Sequence, residues 1–364
     1  LFYPPESFYK DNGIELVLGR KVSHVLPKKN RVVCEDKTNF DYDVLLIATG
    51  ARPRIPEIKG IRKAGVFGFR TLQDVKEIQS LLPVVKCVCV MGGGLVGIAA
   101  ASALRRRAME VKVVVSSSSI LSRVFDPGSS ALIQKRLEDN GIEFVIRQDV
   151  SEIIGEGDIK AVKLSSGKIF AASLVVAGKG VEPNIGAAQE SGIQINTGIP
   201  VDAFMRTNIG NIYAAGDVCE SPCCAGEGTP ARSFWADAVE QGAVAGENMA
   251  GGAAAYERSI RMSSLEFFGL QAVSMGTYEL PGNPSGFEEL NSSDPGRGFY
   301  RRIIFKDNML AGAVLTGNIE AGTVFLRLMK EKADVSSIKE RLLAEDFVYP
   351  GGSGPLAEKE QTHV

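Results

Sequence analysis

Apolar runs and spaced apolar stripes alternate along this chain, and the alternation predicts its elements. Residues 43–50 hold a nearly unbroken apolar run, Val44-Leu-Leu-Ile-Ala48, ended by Gly50, as in a strand buried inside a parallel sheet. Shorter β segments are expected at 14–18 and 31–35, and 51–56 reads as an extended exit containing Pro53 and Pro56. Helical spacing covers 71–82. From 86 to 177 the order is strand (86–91), helix, strand (110–115), helix (130–140), strand (142–147), a hairpin-like stretch (160–170) and strand (173–177). That order predicts a doubly wound α/β sheet with one β excursion. Further strands are expected at 199–202 and 211–215. A helix rich in small residues follows at 236–250, closed by Gly251 and Gly252. Beyond Tyr256 the texture changes to a separate α+β domain. It has a polar loop at 281–298, β runs at 299–305 and 310–316 about an Asp307-Asn308 turn, and helices at 321–331 and 335–343. Residues 351–364 read as a flexible tail.

Chemistry enters at the junction after Met91. Gly92, Gly94 and Gly97 stand at the G-x-G-x-x-G spacing, between an apolar strand and an Ala-rich helix that ends in Arg105-Arg106-Arg107. The first glycine permits the turn, the second lets backbone approach a pyrophosphate, and the third lets helix and strand pack closely. The helix N-terminus then receives the phosphates. The candidate cradle is Gly92, Gly93, Gly94, Leu95, Val96 and Gly97, joined by Gly178 where a later strand of the sheet ends. The competing account is a glycine-rich turn in an ordinary βα unit.

Composition narrows the classes without choosing among them. The 364 residues suffice for two or three domains, and the formal net charge of −2 gives no reason to expect nucleic acid or an anionic membrane as partner. No apolar run reaches the ~20 residues that span a bilayer, and no signal peptide is visible. Six cysteines are few for this length, so a disulfide scaffold is excluded and a cytoplasmic setting is expected. The chain opens on Leu1 with no preceding strand, so an N-terminal portion is expected to be missing.

Four further segments carry a family resemblance. Residues 42–50, Tyr-Asp-Val-Leu-Leu-Ile-Ala-Thr-Gly, and 212–218, Ile-Tyr-Ala-Ala-Gly-Asp-Val, are similar to two strands of the pyridine nucleotide-disulfide oxidoreductases. Trp235, Ala238 and Gln241 resemble the W-x-x-A-x-x-Q helix of that superfamily's rubredoxin and ferredoxin reductase, NADH oxidase and nitrite-reductase-like branch. Residues 267–276, from Phe267-Phe-Gly-Leu270 to Gly276, resemble the start of their C-terminal interface domain. The resemblance implies two Rossmann-like, doubly wound, three-layer dinucleotide-binding domains plus a C-terminal α+β interface domain. The implied boundaries are 1–74 with 191–255 for a split FAD domain, 75–190 for NAD(P), and 256–350 for a dimerisation domain. It further implies that Thr49 and Gly50 border the flavin phosphates with Arg52 nearby. Gly216 and Asp217 would meet the ribityl chain, and Trp235 with Ala238 would approach the flavin ring. Buried core is the competing account of Trp235.

This chain departs from the family pattern in three places. The FAD glycine motif and its ribose acid are expected before residue 1, so the chain as it stands should bind FAD poorly. Ala99 replaces a family Glu two residues past the third glycine. The acid expected after the 110–115 strand is also replaced: Ser116, Ser117, Ser118 and Ser119 follow instead. Four hydroxyls repel no 2′-phosphate and Arg123 could serve one, so NADH versus NADPH stays open, as does a polar turn without ligand. Cys34, Cys87 and Cys89 read as strand filling. Cys219, Cys223 and Cys224 cluster without a fourth metal ligand, and an ordinary loop is expected there, with no metal.

The expected activity is an FAD-dependent NAD(P)H oxidoreductase passing hydride to flavin, with a rubredoxin or ferredoxin-type protein, oxygen or a disulfide as acceptor. The alternatives are a coenzyme A-disulfide-type reductase, and a non-catalytic electron-transfer or NAD(P)-binding subunit. A homodimer is expected, and no catalytic side chain is assigned.

Overall fold

The structure is a computed structural model that describes residues 5–221, 234–257, 260–280 and 285–347. The chain divides into two compact units, Leu1–Arg52 with Val181–Ser259, and Pro53–Gly180 with Ile260–Val364.

The second unit is built on a five-stranded parallel sheet. Its strands lie in the order Val66–Phe67, Leu174–Ala177, Cys87–Met91, Glu110–Val115 and Ile142–Ile146. Alternate side chains serve opposite layers, as the two-residue period of a strand requires. Val88, Val90, Val111 and Val113 pack on one side with Ile98, Leu104, Ile133 and Leu137 of the helices Leu95–Arg105 and Pro127–Asp139. Cys89, Met91 and Val114 pack on the other with Val150, Ile153, Val162 and Leu164. Those last residues belong to a three-stranded antiparallel sheet, Val150–Ile154, Ala161–Leu164 and Ile169–Ala171, the β excursion expected from sequence. Burial on both faces explains why these strands read as apolar runs.

The C-terminal part of this unit is a five-stranded antiparallel sheet. Asp307 and Asn308 turn one hairpin at φ 50° and 62°, the left-handed conformation that short Asp and Asn tolerate. One sheet face buries Val273, Ile303, Phe305 and Leu315 against Phe325 and Leu328 of the helix Gly322–Glu331. Phe267, Leu270 and Val314 join the cluster of the helix Pro127–Asp139. Polar contacts fasten the same contact: Arg136 Nη1 donates to Phe268 O at 2.9 Å, and Tyr300 Oη donates to Asp126 Oδ2 at 2.6 Å. Burial, then the bond to Asp126, pushes the Tyr300 phenol well above its ordinary pKa. The unfolded chain therefore ionises this phenol first, and its stabilising effect is full below about pH 10 and lost as pH rises further. Tyr300→Phe should cost about 1 kcal/mol at neutral pH. Denaturant titrations of both proteins from pH 8 to 11 should show the gap closing at the alkaline end.

The first unit carries an antiparallel strip, Val22–Leu26, Arg31–Cys34 and Asn39–Asp41, beside a parallel pair, Leu45–Ile47 with Ile212–Ala214. Ile47, Ala214, Val218, Ala245 and Tyr256 form its core with the helix Trp235–Met249.

Several expectations need correction. Residues 14–18 form no strand; Ile14, Leu16, Val17 and Leu18 are exposed, and no described strand pairs with them. Residues 335–343 form turns and a single 3-10 turn, Glu340–Leu343, instead of an α-helix. Buried Arg301 packs against the end of this segment, its Nη1 donating to the carbonyls of Leu342 and Ala344. The helix expected at 130–140 starts earlier, at Pro127, because Asp126 caps it by accepting from Gly128 N–H. Residues 351–364, Cys223 and Cys224 lie outside the described residues.

Candidate functional site

In the second unit the glycine turn is a contact of bare backbones. Gly92 sits at φ +113°, and its N–H donates to Val114 O at 2.8 Å. A Cβ at Gly92 would overlap the Gly178 carbonyl oxygen, and one at Gly97 would overlap the Gly92 carbonyl oxygen. A Cβ at Gly178 would lie 2.9 Å from Gly97 Cα. Helix start and two strand ends thus meet where no side chain fits. A Cβ at Gly93 would lie 2.8 Å from Val115 Cγ1, so this glycine closes the turn against the next strand.

Gly94 is the opposite case. It is exposed, and a Cβ there would meet nothing within 4 Å. It is also the N-cap of the helix Leu95–Arg105, with no side chain capping the first turn. Open space therefore faces uncapped N–H groups at the positive end of a helix dipole, a fit for phosphate oxygens. Val96 borders this space at 39% exposure, and Leu95 is half-buried.

The next parallel strand ends beside this turn. Leu121 N–H donates to Gly93 O at 2.7 Å, tying the serine loop to the glycines. Val115 is buried, whereas Ser116 and Ser118 are exposed; Ser117 Oγ donates to Ser119 O at 2.7 Å. Arg123 is exposed. Sequence reasoning passed over Arg147, whose N–H donates to Ser117 O at 3.3 Å. The parallel register, which sets Val115 beside Ile146, makes them neighbours.

In the first unit the strands Leu45–Ile47 and Ile212–Ala214 run parallel, with Ile47 beside Ala214. Thr49 and Gly216 each lie two residues beyond that pairing, at the carboxyl ends where open α/β sheets take ligands. Thr49 Oγ1 donates to Asn184 O at 2.7 Å, and Asn184 Nδ2 returns a bond to Thr49 O at 3.0 Å. Gly50 and Gly216 have φ of +64° and +77°. Fully buried Gln241 accepts the Gly216 N–H at 2.8 Å, so the Trp-Ala-Gln helix fixes the turn that carries Asp217. Ala238 lies against the same turn, 3.5 Å from a Cβ built at Gly216. Arg52 Nε pairs with Glu182 at 2.6 Å. Trp235 opens the helix Trp235–Met249 at 67% exposure and is no core residue. These strand ends, with two glycine turns and an uncovered indole, suit a flavin nucleotide.

The two thiols of the strand Cys87–Met91 do not suit redox work. Burial pushes Cys89 up to about 12, and a bond to Glu110 raises Cys87, so neither yields a thiolate near neutral pH. Among the described residues no group of His, Cys, Asp and Glu could hold a metal ion, and no helix is long and apolar enough to cross a membrane.

Comparison with known proteins agrees with this geometry. The family described as pyridine nucleotide-disulphide oxidoreductase matches residues 6–242, and the rubredoxin NAD+ reductase C-terminal domain matches 262–333. The assimilatory nitrate reductase electron transfer subunit of Bacillus subtilis is 30% identical over 97% of this chain and 44% of its own length. Rubredoxin-NAD(+) reductase of Pseudomonas putida is 32% identical over 58% of this chain and 56% of its own. The chain thus spans about half the length of these relatives, or less. A ferredoxin reductase from Rhodopseudomonas palustris shares the fold, with TM-score 0.81 and 24% identity over 94% of this chain and 86% of that one. The order of strand, glycine turn and helix, repeated strand ends and a C-terminal sheet has one source: this chain belongs to the pyridine nucleotide-disulphide oxidoreductase family.

Proposed function

We propose that the chain works as an FAD-dependent NAD(P)H oxidoreductase that passes electrons to a redox protein of the rubredoxin or ferredoxin type. The observation that carries the reading is the open space at Gly94, facing an uncapped helix start and walled by glycines that tolerate no side chain. The backbone N–H groups of Leu95 and Val96 would hold the nicotinamide dinucleotide's phosphates. Thr49, Gly50, Gly216 and Asp217 would hold FAD, with Trp235 and Ala238 beside it. Bound FAD supplies hydride acceptance and electron release, so the protein's part is to bind, orient and exclude side reactions. No protein base is required. The match of residues 262–333 to a rubredoxin reductase domain, and a relative named as an electron transfer subunit, favour a protein acceptor over oxygen or a disulfide. A homodimer and a cytoplasmic setting belong to the same reading.

The test is anaerobic mixing of the flavin-loaded protein with NADH and with NADPH. At least one should bleach the visible flavin band; a band unchanged by both contradicts the reading. Trp235 is the chain's one tryptophan. Its emission should fall when FAD binds, and unchanged emission with flavin bound would place the cofactor elsewhere.

A further inference from the structure

We infer that the loop after the strand Glu110–Val115 is a seat for a phosphate on the adenosine ribose, so that the dinucleotide taken here is NADPH in preference to NADH. The inference rests on the dinucleotide reading of the glycine turn and adds its selectivity. A nicotinamide site that prefers the free ribose places a carboxylate at the end of this strand to accept from the ribose hydroxyls. Here the strand ends in Val115, 1% exposed and pressed over Gly93, and the four residues after it are serines. None of these serines carries the charge that would repel a phosphate, and the one acid of the loop, Asp126 at its far end, is buried and bonded to Gly128 N–H and Tyr300 Oη.

Two arginines adjoin the loop's serines. Arg123 follows them, and Arg147 is bonded to them through backbone, N–H to Ser117 O at 3.3 Å. Both guanidinium groups are exposed, and neither has an ion-pair or side-chain hydrogen-bond partner among the described residues. The acid nearest Arg147 in sequence, Asp149, is paired with Lys179, which cancels its charge locally. The Ser116 and Ser118 hydroxyls are exposed and likewise without described partners. Two uncommitted forks and two free hydroxyls about one exposed loop match a phosphate dianion, whose oxygens accept from both kinds of donor. They give a neutral ribose no bidentate acceptor. Arg147 reaches the loop only because the strands Glu110–Val115 and Ile142–Ile146 are parallel and in register.

The probes are adenosine 2′,5′-bisphosphate and adenosine 5′-monophosphate, which differ only in the 2′-phosphate, titrated calorimetrically into the whole chain. The bisphosphate should bind at least about 10-fold tighter, the size of one charge-assisted contact. That advantage should shrink as salt rises. Arg147→Gln and Arg123→Gln should each remove part of it while the monophosphate affinity holds, with unchanged melting temperatures showing that both variants fold. Equal or tighter binding of the monophosphate overturns the inference and leaves the dinucleotide site standing. So does a bisphosphate affinity indifferent to both substitutions. Binding of neither probe overturns the dinucleotide reading and the inference together.

Discussion

Gly92→Ala should unfold the second unit's turn, at a cost of roughly 3 kcal/mol or more. Two independent penalties meet at this residue. Its φ of +113° lies where a side chain brings backbone strain of about 1–3 kcal/mol. The added methyl would also overlap the Gly178 carbonyl oxygen, a backbone atom held by its neighbour: Gly178 N–H donates to Met91 O at 2.8 Å. Relief requires parting the strands Cys87–Met91 and Leu174–Ala177, which lie side by side in the parallel sheet. Overpacking of this kind adds about 1–3 kcal/mol more. Denaturant unfolding followed by circular dichroism measures the loss, and a midpoint within error of wild type would show that the turn is not the tight backbone contact described.

Gly94→Val should do the reverse. A Cβ at this position meets nothing within 4 Å, so stability should change by only about 0.5 kcal/mol, as for other surface positions. Nucleotide affinity should nevertheless fall about 100-fold or more. The branched side chain fills the space that a pyrophosphate would enter. Two charge-assisted bonds from the helix start are together worth roughly 3 kcal/mol or more, and about 1.4 kcal/mol is tenfold in affinity. Calorimetric titration with ADP, paired with a melting curve, separates the two effects. Two residues apart, one glycine serves the fold and the other serves the ligand.

The sequence showed most plainly what is buried on two faces. The strand Glu110–Val115 was legible to the residue because a parallel strand covered above and below reads as an apolar run. The glycine triplet was legible because its spacing reports backbone contacts that admit no Cβ. Residues 14–18 misled, since apolar alternation states only that a segment would pair if a partner were offered. Residues 335–343 misled because their apolar positions serve packing on distant residues, Val335 and Leu342 joining Ile303 and Phe325 in one core, which turns achieve without an α-helix. Arg147 was invisible for a similar reason. Its place beside Ser117 comes from the register of two strands, which single-chain spacing does not encode. At the flavin seat the motif residues were visible one by one. The buried bond from Gly216 to Gln241, which ties turn to helix, required the fold.

The central claim is that electrons enter this protein through the Gly92–Gly97 turn. Its most direct test is anaerobic rapid mixing of flavin-loaded wild type and Gly94→Val with the same low concentration of NADPH, with dithionite as a reductant that needs no binding site. The account predicts that dithionite bleaches both flavins alike, whereas NADPH bleaches the wild type at least about 100-fold faster than the variant. Equal bleaching of both proteins by NADPH would contradict it.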